Sequence, residues 1–492
     1  MTRLSRRRVL QAAAASAVFP LFTISGTKAS GRVIGANDMI NVGIAGINGR
    51  GQEHISQMSK LENVRITHLI DPDQTIWEAR VKAVEAKNGH RPAVVQDLRK
   101  ILEDKNLDVV TVATCNHWHS LLTIWACQAG KDVYVEKPIS HNPYEGRKCV
   151  EAAAKYGRVV QHGTQARSSQ SKADEIAAVQ SGKYGKLLVS KGYCCKVRWT
   201  IGFKPVETPP ASLDWNIWVG PAPMQDFHRN LVHYNWHWFW DFGNGDIGNQ
   251  GVHEMDIARW AIKDATLPTK VWTVGGRFLP DLPDQGPTDQ GQTPNMELSV
   301  MEFGDVLLVF ETRGLVGNQK LAPGFPIQVE NEYYTTEGMI KGGKFYKGGK
   351  GEGEKVSGGE PRKVTANGDA FAAFITAVRS RKPEDNNANA EVAHYSAALC
   401  HLANISYRLG EKIAYDKVGG SIGKNAQVKE AFEKLAANNS AVGLPLDKQT
   451  YTLGPTLTFD PATEKFTGDK SEAANALLSR PYRAPFVVPN KV

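Results

Sequence analysis

A chain of 492 residues with 41% hydrophobic content is long enough to bury two ordinary cores. Its net charge of +8 is unevenly placed: residues 1–29 hold Arg3, Arg6, Arg7, Arg8 and Lys28 and no acid, leaving 54 bases against 51 acids elsewhere. That balance is too mild for a polyanion partner, so nucleic acid is excluded as the expected ligand. The six cysteines (Cys115, Cys127, Cys149, Cys194, Cys195, Cys400) form no CxxC pair and no metal-ligand spacing, which argues against a disulfide framework. The adjacent Cys194 and Cys195 have no purpose legible from sequence.

Ser5-Arg6-Arg7-Arg8-Val9-Leu10 has the twin-arginine form. An apolar run from Ala12 to Phe22 and small residues from Ser25 to Gly31 follow it. Residues 1–30 therefore read as a twin-arginine signal peptide, which predicts contact with that export machinery and a periplasmic, exported protein. The run is too short and alanine-rich for a convincing membrane span.

Residues 38–163 alternate between apolar runs and helical stretches. Met39–Ala45 reads as a buried strand, Gly46-Ile47-Asn48-Gly49-Arg50-Gly51 as a glycine turn leading into a helix through Met58, and Val64–Ile70 as a second strand ending in Asp71. This order is that of a dinucleotide-binding Rossmann unit, with the helix N-terminus facing a pyrophosphate. Gly46 would permit the tight turn, and Gly51 a close approach of helix and strand. Asp71 would accept from the adenosine ribose hydroxyls, favouring NAD over NADP. The middle glycine of GxGxxG is Asn48, a residue tolerant of unusual backbone angles, and Gly49 is next to it.

The alternation continues with a helix near Asp97–Glu103, a strand at Asp108–Ala113, a helix at Leu121–Gly130 and a strand at Asp132–Val135. Loops Thr114–His119 and Glu136–Pro138 leave the carboxyl ends of the last two strands, where doubly wound sheets bind ligands. Thr114, Asn116, His119, Glu136 and Lys137 are the expected cofactor contacts there, together with Arg50. His117 and His119 lack a third ligand, so no metal site is expected.

From residue 164 to 415 strands predominate: Leu187–Cys195, Lys270–Phe278, Glu297–Phe303, Val306–Thr312 and Gln328–Thr335. The glycine- and lysine-rich stretch 341–362 lacks phosphate-loop order and reads as a mobile hairpin tip. Helices are expected at Asp369–Ser380, Ala388–Leu409 and Ala426–Ala437, the last within an extension, 416–492, that ends as an irregular tail packed on the body. The fold class is an α/β Rossmann domain followed by an α+β domain with a large, mostly antiparallel open sheet. Between Trp215 and Trp260, aromatic residues interleave with polar ones. That composition suits sugars, and Trp236, His237, Asp246 and Asp256 are candidate substrate residues. His253-Glu254-x-x-Ile257 is not the zinc motif HExxH.

The glycine turn, the Thr-x-Asn-x-x-His loop and Glu136-Lys137-Pro138 together resemble the glucose–fructose oxidoreductase/inositol dehydrogenase/rhizopine-catabolism (Gfo/Idh/MocA) family over about residues 39–415, its exported subgroup in particular. The resemblance implies that Lys137 sits at the nicotinamide and the substrate hydroxyl, and that His253 takes the proton from that hydroxyl. It also implies a homo-oligomer, a dimer or tetramer, using the open sheet face. The family's aspartate, four residues before the histidine, is Asn249 here, which cannot stabilise an imidazolium as a carboxylate would. The expected function is an exported NAD(P)-dependent oxidoreductase acting on a secondary hydroxyl of a carbohydrate, with retained cofactor. The alternatives are NAD-dependent glycoside cleavage by oxidation, elimination, hydration and reduction, and a non-catalytic sugar-binding relative.

Overall fold

A computed structural model describes residues 38–280 and 289–492. The signal segment expected at 1–30 lies outside the described residues.

The first sheet forms because short runs of Ile and Val, buried on both faces, alternate with helices that cover them. Its strands are β1 (Ile40–Ala45), β2 (Val64–Ile70), β3 (Ala93–Val95), β4 (Val109–Val112), β5 (Asp132–Val135) and β6 (Val160–His162). They pair in the order β3-β2-β1-β4-β5-β6, all parallel. The chain reverses direction across the sheet between β1 and β4, and the crevice at their carboxyl ends is where such sheets take ligands. The covering helices are α1 (Gly49–Met58), α2 (Trp77–Asn88), α3 (Asn116–Gln128) and α4 (Pro143–Tyr156). The helix expected near 97–103 is only a turn, Leu98–Lys100, because the Asp97 carboxylate caps Arg99 N locally.

The second sheet has 12 strands. β7 (Leu187–Cys195), β8 (Lys270–Gly276), β9 (Met296–Phe303), β10 (Val306–Arg313) and β11 (Gln328–Thr335) lie close to the sequence expectation. All pairs are antiparallel except β7 with β10. The glycine-lysine stretch forms β12 (Gly338–Lys341) and β13 (Lys344–Lys347), joined at Gly342-Gly343, both at positive φ as a tight hairpin requires. Helices α5 (Gly245–Asn249) and α6 (Gly251–Ala261) run beneath this sheet, with Val252, Met255 and Ala258 in its core.

Three later segments tie the body together. In α7 (Ala370–Ser380), Phe371 and Phe374 belong to the core of the first sheet. The alanine-rich α8 (Ala390–Arg408) places Ala390, Ala393 and Ala397 in the first core and Leu399, Leu402 and Ile405 in the second. Phe486 and Val488, near the C-terminus, also join the first core. The extension is more regular than an irregular tail. Thr450–Leu453 and Leu457–Asp460 add to the edge of β8, and Ala426–Ala441 lays Val428, Phe432 and Leu435 on the outer face of the second sheet with Val274, Leu298 and Val300. The face expected to be open is therefore partly covered by the chain's own C-terminal helix.

Candidate active site

A cavity of about 420 Å³ opens between the carboxyl ends of β1 and β4 and the aromatic segment 233–237. Gly46, Asn48, Gly49, Arg50, Asp71, Thr114, Asn116, His119, Glu136, Lys137, Asn249, Trp236 and His237 all line it, so most of the expected residues meet at one place. Gly51, His253, Asp246 and Asp256 do not line it.

The nucleotide end is built by the glycine turn. Gly46 has φ of +78°, and a Cβ there would sit 2.6 Å from the Ala113 backbone. At Gly51 a Cβ would lie 1.9 Å from the Gly46 carbonyl oxygen, so Gly51 acts from behind the wall by letting α1 close on the turn. Asn48 has φ −84° and ψ −176°, extended backbone open to any residue, so the missing middle glycine costs nothing conformationally. The positive φ falls instead on Gly49, at +31° with open space around its α-carbon. These are the features a dinucleotide needs: a close backbone approach, an unobstructed turn and a helix N-terminus.

Asp71 closes β2 and is buried. Its two oxygens accept from the backbone N–H groups of Ile47 and Asp73, each at 3.0 Å. Burial nonetheless pushes its carboxyl up to about 6.

The loop after β4 is shorter than expected, since α3 begins at Asn116 rather than Leu121. Its first turn is anchored by side chains. His119 Nδ1 lies 2.6 Å from the Pro138 carbonyl oxygen and Nε2 3.0 Å from that of Thr114. His117 Nε2 lies 3.1 Å from the Trp218 carbonyl oxygen, and the indole of Trp118 donates to the Ile217 carbonyl. Both histidines thus serve as struts between loops.

Glu136 follows β5 and is buried. Burial alone would raise its carboxyl, but His54 at 3.2 Å and Arg50 at 2.7 Å outweigh it and hold it well below the usual range. Arg50 therefore reaches across the cavity and is already paired. Lys137 is next, before a cis bond to Pro138. Its Nζ donates to the Asn249 carbonyl oxygen at 2.6 Å and lies 3.2 Å from Asn249 Oδ1, and burial lowers its pKa.

Asn249 ends α5, and α6 starts at Gly251, so Asn249 and His253 sit on two successive short helices rather than one. The amide of Asn249 approaches both Tyr234 OH and Asp246 Oδ1 at 3.5 Å. Asp246 is the carboxylate nearest the vacated aspartate position, but Arg198 holds it at 2.8 Å and the Cys194 thiol lies 3.5 Å away. That contact accounts for one of the paired cysteines. His253 is half-buried, and burial together with the Lys137 charge lowers its imidazole to about 3.

Asp256 was a candidate substrate residue, and the structure corrects this. Its carboxylate is fully buried, paired with Arg167 at 2.8 Å and accepting from Ser396. It ties α6 to α8 and does not line the cavity. Trp236 and His237 do reach the wall, stacked with ring centres 3.6 Å apart.

Sequence reasoning missed several wall residues. His233, whose Nε2 lies 2.9 Å from Asp73 Oδ2, bridges the two domains across the mouth. Tyr234 stands half-exposed at the lip. Both lie in the run His233-Tyr234-Asn235-Trp236-His237 that the aromatic pattern had marked, but nothing in that pattern shows which side chains turn inward. Cys115 and Trp218 lie within the marked loop and aromatic segment without being singled out, and Gln96 carried no signal.

Two family models match the chain. Residues 40–164 match the oxidoreductase family's NAD-binding Rossmann fold, and residues 178–277 its C-terminal alpha/beta domain. These two stretches match the two domains of the Gfo/Idh/MocA oxidoreductase family in order. A Shewanella baltica protein named as a glycosyl hydrolase family 109 protein is 27% identical over 180 residues, 36% of this chain. The match spans only 39% of that relative's length. The WlbA dehydrogenase from Bordetella pertussis, solved with NADH and UDP-GlcNAcA, has a similar fold at 16% identity and TM-score 0.53, over 73% of this chain and 94% of its own. Levoglucosan dehydrogenase, solved with NADH and levoglucosan, is similar at 18% identity and TM-score 0.52, over 74% of this chain and 95% of its own. The stretch that matches the family's NAD-binding domain contains the glycine turn, Asp71 and the Lys137 loop described above.

Proposed function

We propose that this protein is an NAD-dependent oxidoreductase acting on a secondary hydroxyl of a sugar or cyclitol, exported through its twin-arginine segment with the cofactor already bound. One observation carries the reading: the Lys137 ammonium is fixed on Asn249 at the junction of the nucleotide turn and the aromatic wall. Bound NAD supplies the hydride acceptor. Lys137 places a positive charge where an alkoxide develops, and its confinement makes that charge more effective than in water. His253, the base that the family resemblance implies, stands outside the cavity lining with its imidazole lowered to about 3, so in this reading Lys137 carries the alkoxide and His253 enters only if bound substrate brings its hydroxyl within reach. Trp236 and His237 offer a flat apolar face with polar edges, as a sugar's C–H face and hydroxyls require.

A second reading, redox-neutral glycoside cleavage in which the hydride returns to the product, is favoured by the similarity to the glycosyl hydrolase family 109 protein. It also suits a compartment with little nicotinamide to exchange.

Protein purified without added nucleotide should release NAD(H) on denaturation, identified by mass spectrometry. Incubation with a panel of sugars and aryl glycosides then separates the readings. Net nicotinamide reduction supports the first and aglycone release without net reduction the second, while inertness toward all of them leaves a sugar-binding relative. Lys137→Ala should keep the nucleotide and lose about 10²–10⁴-fold in turnover. Unchanged turnover would remove Lys137 from the chemistry.

A further inference from the structure

Between the end of β7 at Cys195 and the start of α5 at Gly245, residues 196–244 leave the second domain and cross the mouth of the nucleotide cavity. Both ends of this strap are pinned to the second domain. Gln290 N–H donates to the Gly202 carbonyl at 3.1 Å and Gln292 N–H to that of Trp238 at 2.8 Å. The strap has a small core of its own, in which Leu213, Trp218, Val219, Phe227, Leu231 and Trp236 belong to one buried cluster, so it holds its shape as a single piece. Polar bonds fasten it to the first domain. Beside Asp71, Gln74 N–H donates to the Ser212 carbonyl at 2.9 Å and Asp214 N–H to the Pro72 carbonyl at 3.0 Å, which pairs Asp73 with Leu213 as an antiparallel bridge. His233 Nε2 adds its contact with Asp73 Oδ2 at 2.9 Å. Farther along, the Trp218 and Ile217 carbonyls meet His117 and the Trp118 indole, and Arg483 of the C-terminal tail donates to the Gly220 carbonyl at 3.0 Å.

A dinucleotide reaching from Asp71 to Lys137 lies beneath this strap, because Trp218, His233, Tyr234 and Trp236 line the same cavity as those two residues. The seam beside Asp71 is where the strap is most easily parted from the first domain. Gln74 and His233 are exposed there, and Ser212 and Asp214 are half-buried. Hydrogen bonds so placed exchange for bonds to water at small net cost, so the seam can open while both main cores stay folded. We propose that the strap is a clasp that must part from Pro72–Gln74 before NAD enters or leaves, with the Asp73–Leu213 bridge and the His233 contact as its latch. The latch joins protein groups to one another, so it governs the rate of nucleotide exchange and not the affinity. The clasp requires NAD binding at this site and no particular substrate or reaction.

The test locks the clasp and then loosens it. Residues paired across an antiparallel bridge have Cα atoms about 4.5–5.5 Å apart, a span that a disulfide closes. The double variant Asp73→Cys with Leu213→Cys, loaded with NAD and then oxidised, should retain it against isotope-labelled NAD for as long as the crosslink lasts, read by mass spectrometry. Oxidised while stripped of nucleotide, it should take up NAD only after reduction. Oxidised wild type, with its own six cysteines, is the control. His233→Ala changes an exposed residue and so spares the fold. It should speed NAD association and dissociation by the same severalfold factor in stopped-flow fluorescence, with Kd unchanged. Uptake or exchange at the wild-type rate in protein whose crosslink is confirmed by mass would overturn the clasp. So would unchanged rates in His233→Ala, or an effect confined to dissociation, which would make His233 a direct nucleotide contact.

Discussion

Gly51→Ala tests whether the nucleotide cradle depends on backbone contact. The added Cβ would fall 1.9 Å from the Gly46 carbonyl oxygen, a separation that real Cβ atoms do not show below 3.0 Å, so helix and turn must part by about 1 Å. The turn has little room on its other side, where even a Cβ on Gly46 would fall 2.6 Å from the Ala113 backbone. Overpacking of this kind costs roughly 1–3 kcal/mol, and a displacement near 1 Å in a positioning element costs about 10²-fold in function. The expected result is lower thermal stability and NAD affinity weakened by about two orders of magnitude, measured by calorimetry on nucleotide-stripped protein. Gly49→Ala is the control. Open space surrounds that position and only its φ of +31° is strained, so a loss of roughly 1–2 kcal/mol in stability with modest change in NAD affinity is expected. Equal NAD affinity in Gly51→Ala and wild type would refute the argument that close helix–turn contact shapes the site.

Asn249→Asp restores a carboxylate beside Lys137 and so opposes the depression of His253. The acid limb of kcat/KM should then move to higher pH than in the wild type, where His253 at about 3 stays neutral through the usual range, and superimposable profiles would disconnect the two residues. Glu297 is buried, and burial pushes its carboxyl up to about 8. The folded state therefore holds that proton more tightly than the unfolded state, and its contribution to stability, full below the ordinary carboxylate pKa, declines as pH rises toward 8. In Glu297→Gln the fall in the urea midpoint between pH 6 and pH 9 should be smaller, although Glu254, also raised to about 8, keeps it from vanishing. Asp256→Asn strands the buried Arg167 charge and should destabilise by about 3–5 kcal/mol in chemical denaturation, while turnover per folded molecule persists at permissive temperature. A loss of turnover in fully folded protein would return Asp256 to the site.

Much of the nucleotide half was legible in the chain itself. Strand, glycine turn, helix, strand and acid are local features, each dictated by residues within a few positions of one another, and Val64–Ile70, Asp132–Val135 and Leu187–Cys195 form over the spans their composition predicts. The Lys137 loop was legible for the same reason, since a residue at the end of a parallel strand faces the crevice whatever the rest of the chain does. Tertiary structure decided what depends on distant partners. Asp246 and Asp256 are chemically alike in the sequence, yet Arg198 and Arg167 claim them from other elements, so one supports Asn249 and the other only holds helices together. His117 and His119 could have faced a ligand, but carbonyls 19 to 101 residues away hold one ring nitrogen of each, at Pro138 for His119 and Trp218 for His117. The C-terminal helix on the outer sheet face, and His233 bridging to Asp73, likewise join segments that no local pattern links. Periodicity states which faces are apolar; which partner buries a given face, or neutralises a given charge, follows only from where the chain brings its remote parts together.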